Sequence, residues 1–103
     1  MPETIEIQLK KGVLTLCVLA LLSRGDSYAY EIASQLARDI DMGEGTIYPL
    51  MRRLQSDGLV DTYLVESPSG PPRKYYKTTA YGDEVVVRVG QKITDLNSTL
   101  KKL

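Results

Sequence analysis

Four breaks cut this chain into pieces too short for anything but a small, mostly helical domain. SRGDS at 23–27, DIDMGEG at 39–45, the Asp57-Gly58 pair and SPSGPP at 67–72 hold glycines and prolines that interrupt regular structure. Of the pieces before Gly58, the second and third space their apolar residues three and four apart, the period of a helix buried on one face, and the first is a near-continuous apolar run. The two pieces flanking SPSGPP, LVDTYLVE and RKYYKT, are rich in β-branched and aromatic residues and read as strands.

The pattern predicts a first helix from about Ile5 to Ser23, stopped by Arg24-Gly25. A second spans about Tyr28 to Asp39, with Asp26 and Ser27 as candidate caps, and a third ends near Asp57-Gly58. SPSGPP, with Pro68, Pro71 and Pro72, is expected to continue neither strand and to form a stiff exposed loop. Thr79 is the expected N-cap of a last helix that runs to the C-terminus. This order describes a mainly α fold with a small β-hairpin. It is a winged helix-turn-helix, residues 1–82, followed by a C-terminal dimerisation helix, residues 83–103.

Composition removes most enzyme classes. In 103 residues there is no histidine and one cysteine, so neither a Ser-His-Asp nor a Cys-His arrangement is available. A zinc site would have to be built from carboxylates, and no phosphate-binding or dinucleotide-binding turn is present. No catalytic residue, metal ligand or cofactor is therefore expected. Cys17 lies in the apolar run VLTLCVLALL and reads as a small core residue. That run follows Lys10-Lys11 but ends in SRGDSY, without a small-residue cleavage site, and is too short to cross a bilayer. A cytoplasmic location and no membrane partner are expected. Being apolar on every side, this helix is expected to serve both its own core and a second chain.

The third helix sorts its residues by face. Placed at 100° per residue, Ile47, Leu50, Met51 and Leu54 form one apolar stripe. Gly45, Pro49, Arg52 and Ser56 fall opposite, with Tyr48 and Arg53 on the flanks. A proline so near the helix start costs nothing if the helix begins at Thr46, and leaves the Gly45 carbonyl without its partner if it begins near Gly43. Short groups at the tip and guanidinium groups a turn later suit a recognition helix whose N-terminal end enters the DNA major groove. Arginines on an exposed helix face are also ordinary solvated surface, so the surrounding element order carries the reading.

Charge supports it by its placement. Lys plus Arg equals Asp plus Glu at 13 each, so no net charge marks a partner. Yet 67–82 holds Arg73, Lys74 and Lys77 with no acidic residue, whereas 25–45 sets Arg38 against Asp26, Glu31, Asp39, Asp41 and Glu44. A basic wing suits phosphate contact in the minor groove. The expected DNA-binding residues are Gly45, Thr46, Tyr48, Pro49, Arg52, Arg53, Arg73 and Lys74. In the last helix Val86, Val89, Ile93, Leu96, Leu100 and Leu103 alternate spacings of three and four, a heptad seam suited to a homodimer.

These features resemble the PadR family of bacterial transcriptional regulators over nearly the whole chain. Tyr28-Ala29-Tyr30-Glu31-Ile32, Gly45-Thr46-Ile47-Tyr48-Pro49-Leu50, Arg53-Leu54, Asp57-Gly58-Leu59-Val60, Arg73-Lys74-Tyr75-Tyr76, Thr79 and Gly82 carry the resemblance. It implies a dimeric winged-helix repressor whose third helix and wing meet double-stranded operator DNA, in the small branch with one C-terminal helix. Ala29 replaces a common glycine and Thr78 a common apolar residue. The tryptophan-lined drug site of some relatives is not implied, because the chain has no Trp. An effector, if the regulator has one, is not identified by the sequence. A winged-helix module that binds protein rather than DNA is the alternative function.

Overall fold

The computed structural model describes residues 3–40 and 44–103; the expected turn at 41–43 lies outside them. Its elements are α1 (Ile5–Arg24), β1 (Ser27–Tyr28), α2 (Ala29–Ile40), α3 (Glu44–Ser56), β2 (Val60–Ser67), β3 (Gly70–Thr78) and α4 (Ala80–Lys102). Thr4 caps α1 by accepting from the Ile7 N–H at 3.1 Å, and the helix ends where Gly25 turns to extended backbone.

Leu14, Val18, Leu19 and Leu22 of α1, Ile32, Ala33 and Leu36 of α2, and Ile47, Met51 and Leu54 of α3 form the core with Val60 and Tyr76. The α3 stripe is the one the periodicity predicts, with Leu50 half-buried at its margin. Each of the buried Leu, Ile, Val and Met side chains contributes about 1.5–3 kcal/mol on burial. Among the described residues the N-terminal part of α1 joins no core: Ile5 and Leu9 are 85% and 65% exposed.

The wing is a three-stranded antiparallel sheet in the order β1-β3-β2. Two segments depart from the sequence expectation. Residues 27 and 28 are a short strand paired with Tyr76 and Tyr75, not the cap and first residue of a helix. Asp26 instead accepts a hydrogen bond from the Tyr63 hydroxyl at 2.6 Å. SPSGPP is not all loop either, since β3 begins at Gly70 and includes Pro71 and Pro72. The prolines fit because the pairing shifts there: Ser67 faces Gly70, Val65 faces Arg73, and Glu66 alone spans the gap. β1 reaches only Tyr75 and Tyr76, so no second neighbour asks the proline nitrogens for a donor.

One junction joins α3, the wing and α4. The Leu59 N–H reaches back to the Leu54 carbonyl at 2.9 Å and the Gly58 N–H to that of Gln55 at 3.1 Å. Gly58 has φ 77°, so these two bonds close a Schellman C-cap on α3. The Thr79 hydroxyl donates to the Gly58 carbonyl at 2.7 Å, and the Thr79 N–H to the Leu59 carbonyl at 3.1 Å. Thr79 also caps α4, accepting from the Gly82 N–H at 3.0 Å, as the sequence predicts. Buried Gly82 lies so close to this strand entry that a Cβ would fall 2.1 Å from the Leu59 oxygen.

Candidate nucleic-acid interface

α3 begins at Glu44, so Pro49 lies in its second turn and supplies no N–H to the Gly45 carbonyl. Water can satisfy that carbonyl because Gly45 and Pro49 are both exposed. The outermost ridge of α3 is Gly45, Pro49, Arg52 and Ser56, all exposed opposite the core stripe. Among the described residues Arg52 makes no ion pair, whereas Arg53 Nε lies 3.7 Å from Asp57 Oδ2. Such an exposed pair is worth under about 1 kcal/mol and gives way readily to a phosphate. Thr46, Pro49 and Arg53 share one flank with Lys11 and Thr15 of α1, around a cleft of 610 Å³. Tyr48 is on the other flank, half-buried and packed against the core, so only part of its ring is free for a ligand.

The wing stands beside that second flank, where the Gln55 amide reaches the Thr62 hydroxyl at 3.4 Å. Its pleat separates the two cations expected to act together. Lys74 shares the inner face with Thr62 and buried Tyr76, its ammonium 5.6 Å from that ring. Arg73 takes the outer face with Tyr63, Tyr75 and Lys77. Both side chains are exposed, so a wing inserted edge-on presents one cation to each wall of a groove.

Periodicity and charge did not single out the aromatic cluster on the outer face. Tyr63 stacks on Tyr75 at 5.8 Å, Tyr75 meets Tyr28 at 5.5 Å, and Arg73 lies 4.7 Å above Tyr28. Lys77 is 5.9 Å from the Tyr63 ring. The signal was present in the alternation Arg73, Tyr75, Lys77, but Tyr28 joins it only through β1. The hydrogen bond to Asp26 pushes the Tyr63 phenol above its ordinary range, with desolvation and the Asp26 charge adding to it. Cys17 plays no part at this surface; burial first, and the Asp39 charge second, raise its thiol pKa.

A three-helix core, a helix with an unpartnered outward ridge and an adjoining three-stranded wing define a winged helix-turn-helix protein. Residues 18–88 match the Transcriptional regulator PadR-like family, and the chain belongs to that family. Solved structures agree over nearly its full length. A Streptococcus transcriptional regulator is 36% identical, covers 97% of this chain and 97% of its own, and superposes with a TM-score of 0.84. A PadR family regulator from Eggerthella lenta is 37% identical over 93% of this chain and 85% of its own, with a TM-score of 0.82. For a PadR-like regulator from Bacillus cereus the values are 35%, 92%, 94% and 0.80. The relatives are transcriptional regulators, and the chain is a PadR-like winged-helix regulator of the DNA-binding kind. Among the described residues no helix is long and apolar enough to cross a membrane.

Proposed function

We propose that the chain is a cytoplasmic repressor that binds a near-palindromic operator as a homodimer. In this reading Gly45, Thr46, Pro49 and Arg52 enter the major groove, Tyr48 and Arg53 flank them, and Arg73 and Lys74 hold phosphates. Residues 83–103 join the two protomers. The observation that carries the reading is the ridge of α3: it is exposed and free of ion pairs at Arg52, beside a wing whose cations are exposed. Among the described residues a Cβ at Gly45 would meet nothing within 4 Å, which leaves the start of α3 open to a DNA backbone at close range. A gel-shift titration against the promoter upstream of its own gene, with random duplex as competitor, tests the proposal. A shift that random DNA removes as easily as promoter DNA would contradict it, and no shift at all would favour a protein-binding module.

The ridge and the stripe are expected to separate cleanly. Arg52→Ala should leave the melting temperature unchanged and weaken operator binding by about 1–3 kcal/mol, with little loss on random DNA. Leu54→Ala, at a side chain 2% exposed, should instead cost about 2–5 kcal/mol of stability. Thermal melts alongside fluorescence anisotropy check both, and an Arg52 variant that unfolds would show the ridge to be misplaced.

For the wing the expected signature is ionic. Replacing Arg73 and Lys74 together with alanine should weaken operator and random DNA alike. The plot of log affinity against log salt should become shallower by about one unit for each phosphate the wing no longer holds. An unchanged slope at full affinity would take the wing off the DNA.

A further inference from the structure

The outer face of the wing holds a closed chain of contacts that begins and ends just ahead of α2. Asp26 accepts from the Tyr63 hydroxyl at 2.6 Å, and Tyr63 lies against Tyr75 with their planes 25° apart. Tyr75 meets Tyr28, the residue before α2, and the Arg73 guanidinium covers the Tyr28 ring at 4.7 Å. Two properties of this stack matter for a cation. A guanidinium that lies flat over a ring keeps its in-plane N–H fork open to a planar or tetrahedral anion. Contact with the ring also restricts a long side chain that would otherwise sample many rotamers on an exposed strand, and so lowers the ordering cost on binding. Among the described residues Arg73 makes no ion pair that would occupy the fork.

We infer that Tyr28 is a positioning residue for Arg73: its ring holds the guanidinium at a fixed place beside the start of α2, with the fork turned to a DNA phosphate. The inference rests on the proposed DNA-binding role of the wing and adds a division of labour within it. Arg73 is pre-ordered by an aromatic face, whereas Lys74 on the opposite face lies over Tyr76, which belongs to the core. Tyr28 therefore matters to DNA binding without touching DNA. A lysine at position 73 keeps the charge but cannot stack as a plane, so Arg73→Lys is expected to act as a partial loss.

The test is a double-mutant cycle on the full chain, read by anisotropy with promoter duplex and repeated over a range of salt. Tyr28→Ala and Tyr28→Leu should each weaken binding roughly 2–5-fold, whereas Tyr28→Phe should match the native protein. In the Arg73→Ala background Tyr28→Ala should add no further loss. That non-additivity is the signature of positioning, because a general weakening of the fold would reduce binding in either background. Thermal melts accompany every variant, and Tyr28→Leu, which keeps apolar bulk, covers the case in which Tyr28→Ala fails to fold. Additive losses, or full affinity in Tyr28→Leu, would overturn the inference. A second readout needs no DNA. By nuclear magnetic resonance the Arg73 Nε–H should be ordered in the native protein and mobile in Tyr28→Leu. An Arg73 Nε–H equally mobile in both overturns the inference even if promoter binding stands. Ordered Nε–H in the native protein, lost in Tyr28→Leu, supports it even if the promoter proves the wrong DNA.

Discussion

Replacing Gly82 with alanine is expected to lower the melting temperature by roughly 10–20 °C. The added Cβ would sit 2.1 Å from the Leu59 carbonyl oxygen, far inside contact distance, and the obstacle is backbone rather than a side chain that can swing away. That oxygen already accepts the Thr79 N–H, and Thr79 is both the cap of α4 and the donor to Gly58. Relieving the clash therefore means pulling α4 off the entry to β2. It strains the Schellman cap of α3 at the same time. Overpacking of this kind typically costs about 1–3 kcal/mol, and a rigid, hydrogen-bonded neighbour puts this site at the upper end. Gly90→Ala is the control in the same helix. A Cβ there meets nothing within 4 Å among the described residues of the protomer, and replacing a helical glycine should stabilise by about 0.5–1 kcal/mol. Differential scanning calorimetry of the two variants checks the pair, and similar melting temperatures would show that α4 is not held against Leu59.

Placing aspartate at both Ile93 and Leu96 is expected to abolish dimerisation and, with it, specific DNA binding. Along α4 the seam turns progressively away from its own protomer. Val86 packs on the core, Val89 and Ile93 are 36% and 39% exposed, and Leu96, Leu100 and Leu103 are 59%, 69% and 97% exposed. Covering the exposed leucines by a partner would contribute up to about 1.5–3 kcal/mol each, once per protomer, and the half-buried Val89 and Ile93 correspondingly less. The exposed Ile5 and Leu9 of α1 offer further apolar surface to the same partner. Two buried carboxylates would reverse this gain, since uncompensated charge is far costlier to desolvate than a missing methyl group. A monomer engages one half-site only, so affinity should fall by roughly 10²–10⁴ once bivalency is gone. Ending the chain before Val86 should do the same, but it also strips Val86 from the core, which makes the aspartate pair the cleaner variant. Sedimentation decides the outcome: a dimer that survives, or a monomer with undiminished operator affinity, would contradict the role given to α4.

The larger helices were legible in the sequence because periodicity and terminators agreed. The α3 stripe follows from the spacing of Ile47, Met51 and Leu54, its end from Gly58, and the start of α4 from Thr79. Three features were not legible, each for a physical reason. A strand of two residues such as β1 is too short to show a period, and Tyr28 continues the four-residue spacing of Ile32, Leu36 and Ile40 into it. Pro71 and Pro72 read as breakers because that rule supposes donors are needed, and here a bulge beside a single neighbouring strand removes the need. The aromatic chain on the wing joins residues far apart in sequence, Asp26 to Tyr63 and Tyr28 to Arg73, which only the paired strands bring together. The candidate DNA residues divided similarly. The exposure of Gly45, Pro49, Arg52 and Arg53 followed from the helix period, whereas Thr46 and Tyr48 are half-buried, and the opposite facing of Arg73 and Lys74 needed the strand register.

The central claim is that two copies of α3 read one operator. Hydroxyl-radical footprinting of the purified protein on the promoter of its own gene tests it most directly. Protection should appear as two matching patches whose centres are about one helical turn, or roughly 34 Å, apart or a multiple of it. Their sequences should be near-palindromic, and both patches should fade together with the aspartate pair in α4. A single patch of unchanged strength in that variant, or uniform protection without sequence preference, would contradict the account.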